Sequence, residues 1–143
     1  MDDRKTLIQK VEQSFRFTFR RVQRDINELF KDNDMTSHEF IFLKRLSLEE
    51  PIKISDLSKD MNVTASYATA VSERLLKHGY LNRNRSTVDR RIVELTSTPT
   101  GKTLVEELER RKAAYLQKMF THLSLEELEA LVHLFDKMKR EIE

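Results

Sequence analysis

The sequence predicts a mainly α-helical fold of six helices with one small β-hairpin after the fourth. Apolar residues recur at steps of three and four along most of the chain, which is the helical period. Two short β-type runs joined by an arginine-rich turn follow a capped helix that stops at Gly79. Only two Gly and two Pro leave little room for long loops.

A length of 143 residues suits one domain with a real core, read here as 1–143. Charged residues make up 35% and apolar ones 38%, the balance of amphipathic helices rather than thick sheet. The formal net charge of +2 is too small to imply a polyanionic partner, so any such signal must be local. No cysteine is present, which excludes disulfides, thiolate metal sites and thiol redox sensing. The opening MDDRKTLIQK is charged and lacks an apolar signal-peptide core, and no run is long enough to span a membrane. The expectation is a soluble cytoplasmic protein.

The first helix, about Asp3 to Lys31, carries Leu7, Val11, Phe15, Phe19, Val22, Ile26 and Leu29 on one stripe. That stripe is longer than a small core needs, so part of it is expected to face a second subunit. Thr36 to Glu39 fits a capping box opening a second helix through Phe40, Ile41, Leu43 and Leu46. Pro51 stops it, Ile52-Lys53-Ile54 reads as a β-type run, and Ser55 is expected to cap a short third helix through Leu57 and Met61. Asn62 suits a tight turn, and Thr64 caps the fourth helix. Tyr80-Leu81 and Ile92 to Leu95 read as strands. Thr98-Pro99 opens a fifth helix carrying Leu104, Leu108, Tyr115, Leu116, Met119 and Phe120. Ser124 to Glu127 opens the last, with Leu128, Leu131, Val132, Phe135 and Met138.

Short helix, turn, capped helix and basic hairpin together make the winged helix-turn-helix pattern, a fold that holds duplex DNA. With Ala68, Val71 and Leu75 turned inward, the fourth helix presents Ser66, Thr69, Ala70, Glu73 and Lys77 outward. Thr64 and Ala65 sit at its leading edge, and Tyr67 and Arg74 on its shoulder. This face is small and polar, so it can approach base edges. Ser and Thr bond to several bases, Glu73 could accept from a cytosine amine, and an alanine methyl packs on a thymine methyl. The face lacks Arg, Asn and Gln for bidentate base contacts, so base readout is expected to be modest and DNA shape to supply part of the specificity.

From Lys77 to Arg91 the chain places Lys77, Arg83, Arg85, Arg90 and Arg91 against one acid, Asp89. Arginine binds phosphates by paired hydrogen bonds and suits a narrow, negative minor groove. A carboxylate repels DNA, and Asp89 is expected to hold an arginine in one orientation.

These residues resemble the MarR family of bacterial transcriptional regulators. Leu75, His78-Gly79, Asp89-Arg90-Arg91, Leu95 and Thr98-Pro99-Thr100-Gly101 fall at the family's intervals. His78 stands where lysine is common. Ser97 stands where leucine is usual, so the second strand is expected to fray there. The resemblance implies a homodimer in which helices one, five and six interlock, with 1–31 and 103–143 as dimerisation helices and 36–101 as the DNA-binding head. Two such heads would bind a pseudo-palindromic operator, most often as a repressor. It further implies that Arg91 is the wing-tip residue entering the minor groove and that Asp89 orients it. The family's small aromatic or lipophilic effectors point to Phe15, Phe19, His38, Phe42 and Tyr115 as pocket residues; plain core is the competing reading.

The four histidines His38, His78, His122 and His133 form no i,i+4 pair, so no metal or other cofactor is expected. No Gly-rich phosphate loop, nucleophile elbow or HExxH motif marks an enzyme. The alternative is a helical interaction module that keeps the winged-helix fold without specific DNA binding.

Overall fold

The computed structural model describes residues 3–142, which fall into two compact units dividing after Glu109. The first contains helix α1 (Asp3–Phe30), α2 (Ser37–Glu49), strand β1 (Ile52–Lys53), α3 (Ile54–Asp60), α4 (Ala65–Lys77), β2 (Leu81–Arg85) and β3 (Val93–Ser97). Helix α5 (Pro99–Met119) begins in it, and α6 (Leu125–Ile142) belongs to the second unit.

The ends of the helices follow local chemistry. Thr36 and Glu39 form the reciprocal capping box of α2, and Thr64 Oγ1 accepts the Tyr67 N–H at 3.1 Å. Ser124 and Glu127 cap α6 in the same reciprocal way. Helix α4 ends with Gly79 at φ 76°, which lets the Gly79 and Tyr80 N–H groups bond the Leu76 and Leu75 carbonyls. Asn62 takes the left-handed conformation at φ 53° in the turn between α3 and α4.

Three expectations need correction. Ser55 is not a cap: α3 starts at Ile54, with Lys53 at its N-cap making no side-chain bond. The strands lie later than the β-type runs suggest, because the Tyr80 N–H is spent on capping α4 and pairing starts at Leu81. The strand does not fray at Ser97, which pairs with Leu81 and is buried. Its N–H and hydroxyl both donate to Glu50 Oε2 at 2.6 Å, and Lys102 Nζ holds the other carboxylate oxygen at 2.8 Å. The polar residue stays buried because a distant carboxylate satisfies it.

The hairpin is part of a three-stranded antiparallel sheet in the order β1-β3-β2, with Ile52 opposite Leu95 and Arg83 opposite Leu95 on its other side. Beneath lie Phe30, Phe40, Phe42, Leu43, Leu46, Leu57, Leu75, Leu81 and Leu108, all fully buried. Gly101 sits where the first turn of α5 presses on the wing's base, since a Cβ there would stand 2.1 Å from the Tyr80 carbonyl oxygen.

Apolar surface remains open on both units. On α1 only Ile26 and Phe30 are buried, while Leu7, Val11, Phe15 and Phe19 are exposed. On α6 no residue is buried, and Val132, Phe135 and Met138 are exposed. No described helix is long and apolar enough to cross a membrane.

Candidate nucleic-acid interface

Helix α4 is fixed from below by Ala68, Val71, Ser72 and Leu75, all buried. The Ser72 hydroxyl satisfies itself on the Ala68 carbonyl at 2.7 Å. Thr64, Ala65, Ser66, Thr69, Ala70, Glu73 and Lys77 are exposed along the opposite side. The small side chains of Ala65, Ser66, Thr69 and Ala70 leave the N-terminal half of the helix open to close approach. Glu73, read from sequence as a cytosine acceptor, bonds the Arg83 guanidinium of β2 and so ties the helix to the wing.

Arg74 spends its guanidinium within the protein. Its Nε lies 2.7 Å from Glu39 Oε2, and one terminal nitrogen meets both the Asp34 carboxylate at 2.8 Å and the Asp34 carbonyl at 2.7 Å. Hydrogen bonding to Asp34, then the charges of Glu39 and Asp34, hold Arg74 protonated more firmly than a free arginine. Next to it, Tyr67 shares a hydrogen bond with His38 Nδ1. Burial, and then the Glu39 charge, pushes the Tyr67 phenol up from its ordinary value. The shoulder of α4 is thus bolted to the start of α2 and to the turn after α1.

The wing loop is equally ordered. Ser86 N–H bonds the Ile92 carbonyl at 2.9 Å and closes the loop, while the Ser86 hydroxyl accepts the N–H groups of Val88 and Asp89 at 3.1 and 3.3 Å. Asp89 grips Arg91 with both oxygens, at 3.1 Å to Nε and 3.0 Å to a terminal nitrogen, and also accepts the Arg91 N–H at 3.0 Å. The Arg91 side-chain bonds, then its backbone N–H, hold the Asp89 carboxyl below its usual range. Arg91 is itself 90% exposed, so its orientation is set while its outer edge stays open. Arg85 donates to the Arg90 carbonyl at 2.8 Å. Arg90 and Lys77 are exposed.

The five residues read as an effector pocket divide between the two units. Phe42 is fully buried, Phe15 and Phe19 are exposed with their rings stacked at 6.2 Å, His38 is engaged with Tyr67, and Tyr115 belongs to the second unit. A shallow cavity of about 440 Å³ lies elsewhere, lined by Asn33, Tyr80, Pro99, Thr100, Thr103, Leu104 and Glu107, and none of the five reaches it. Among the described residues no three His, Asp or Glu side chains converge to hold a metal ion.

A capped helix with an open polar face, preceded by a short helix and followed by a cationic hairpin, defines a winged helix-turn-helix protein. Residues 35–93 match the model of the MarR family. Over 140 residues the chain is 31% identical to the uncharacterised HTH-type transcriptional regulator YpoP of Bacillus subtilis, covering 98% of this chain and 94% of that one. It is 24% identical over 137 residues to the HTH-type transcriptional repressor MdtR of the same organism, covering 96% and 88%. Among solved structures it superposes with a TM-score of 0.84 on FabT of Streptococcus pneumoniae in complex with DNA, at 22% identity over 94% of this chain and 96% of that one. The chain belongs to the MarR family of transcriptional regulators.

Proposed function

We propose that this protein is a homodimeric, sequence-specific DNA-binding repressor relieved by a small effector. The observation that carries the reading is the Glu73–Arg83 contact, which joins the open face of α4 to the cationic wing. Joined in this way, the two surfaces meet one duplex. Helix α4 enters the major groove with Ser66, Thr69 and Ala70 leading, and the wing reaches the adjacent minor groove and backbone. Arg83, Arg85, Arg90 and Lys77 supply backbone charge, and Arg91 enters the minor groove in the orientation Asp89 gives it. Arg74 and Tyr67 act on DNA mainly by holding the helix in place. The fold shared with FabT, whose structure was solved with DNA, and the similarity to MdtR, named a repressor, support this reading.

The uncovered stripes of α1 and α6, which isologous packing would bury, support dimerisation. The exposed Phe15 and Phe19 would face an effector of aromatic or lipophilic character beside a covering partner. Selection of bound duplexes from a randomised library tests the proposal. It should enrich a pseudo-palindrome whose half-sites lie about 10 base pairs apart or a multiple of that. A library that emerges without enrichment would overturn it.

A further inference from the structure

The wing loop carries one apolar residue, Val88, beside its arginines. Between the closing bond at Ser86 and Ile92, the loop bends at Thr87 and Val88 and then turns at Arg90 and Arg91, where the Ile92 N–H bonds the Asp89 carbonyl at 3.0 Å. Arg85 is drawn back to the Arg90 carbonyl and Arg91 to Asp89. Val88 stands open, with 95% of its surface exposed. Single exposed apolar residues are common and need no explanation. This one differs in its setting. Its own N–H and that of Asp89 are held by the Ser86 hydroxyl, so the bend at Val88 is fixed, and arginines flank it in sequence on both sides.

We infer that Val88 is an apolar reader of the minor groove, packing between its deoxyribose walls and favouring A·T pairs. The inference rests on the DNA-binding reading above and adds a specificity residue to it. The minor groove is walled by sugar C–H surface, and it is narrowest over A·T tracts, where an inserted group touches both walls. Guanine places an exocyclic amine on the groove floor. A valine has no acceptor to satisfy that donor, so a G·C pair beneath it leaves a desolvated N–H unpaired. The β-branched side chain is already stiff and loses little freedom on insertion. Apolar side chains placed in this groove by other architectures act on the same surfaces. Arg91, fixed beside it, would then bond acceptors in the same groove.

The test uses the full-length protein and a duplex recovered from a randomised library by the wild type. The base pairs under the wing are remade as A·T, G·C or inosine·C, the last lacking the minor-groove amine. Wild type should prefer A·T and inosine·C over G·C. Val88→Ser, which keeps the residue small but makes it polar, should lose about 3- to 10-fold in affinity on the first two and little on G·C. Its slope of log affinity against log salt should stay at the wild-type value, because no phosphate contact is removed. Val88→Ile should retain the preference. Equal affinity of Val88→Ser and wild type on the A·T duplex would overturn the assignment while leaving DNA binding intact. So would an equal loss on all three duplexes. A wild type that binds none of them above random DNA would overturn both this inference and the function on which it rests.

Discussion

Arg74 of the reading helix and Glu39 of α2 form a 2.7 Å ion pair in which the carboxylate is nearly buried and the guanidinium half open. Glu39 simultaneously closes the capping box of α2 by accepting the Thr36 N–H at 3.0 Å. One carboxylate therefore starts α2 and fixes the azimuth of α4. Arg74→Ala leaves that carboxylate without its cation, and melting should fall by about 3–6 °C. DNA affinity should fall too, but with the salt slope unchanged, as expected of a residue that positions the helix. A salt slope reduced by loss of Arg74, at unchanged melting temperature, would make it a phosphate contact.

Ala70 tests close approach by the helix. It is exposed on the open face of α4, so Ala70→Leu costs the fold nothing. Specific binding should drop by at least about tenfold, because the larger side chain holds the helix off the base edges. Fluorescence anisotropy and thermal melting on one sample measure both. An unchanged affinity would mean that this face is not in the groove.

Glu50 gives stability a pH signature. Burial raises its pKa, but Lys102 and the Ser97 hydroxyl and N–H together outweigh burial and leave it below the ordinary 4.5. A carboxyl with a depressed folded value stabilises the fold fully above its unfolded value and ceases to do so as pH falls through the folded one. Glu50→Gln should therefore melt below wild type at pH 7, with the gap closing below about pH 4.5. A gap that stayed constant down to pH 3 would assign the loss to packing rather than to charge.

The α6 stripe tests assembly. Phe135→Glu places a charge on it, and the wild type should sediment as a dimer of the 17.0 kDa chain while the variant dissociates or unfolds. A wild type that sediments as a fully stable monomer would refute the dimer.

Local chemistry was legible in the sequence and remote chemistry was not. Thr36 with Glu39, Thr64, Gly79 and Ser124 with Glu127 act within four residues of themselves, so their types and spacing specified the helix ends. Ser97 carried no such signal, because the carboxylate that makes it a strand residue is 47 positions away. β1 was visible as a short run, but its partner β3 could not be read from it. The misplaced cap at Ser55 has a simpler origin: the preceding strand passes directly into the helix, which leaves no extended residue for a serine to cap from. At the interface the residue types of α4 and the wing were visible. The internal engagement of Arg74, Glu73 and Arg85 and the exposure of Val88 required the packed structure.

The wing aspartate separates orientation from charge. Asp89→Ala removes an acid, so binding to random DNA should strengthen, yet it frees Arg91, so binding to the selected duplex should weaken. If both strengthened alike, the carboxylate would be only a repulsive charge.

The central claim is that paired wings hold phosphates of one duplex, and the salt dependence of Arg90→Ala measures it most directly. Arg90 is exposed at the wing, and a dimer presents it twice. Affinity for the selected duplex should fall steeply with salt in the wild type, and Arg90→Ala should flatten the logarithmic slope by about 1.8, two contacts per dimer. A slope identical in wild type and variant would contradict the account.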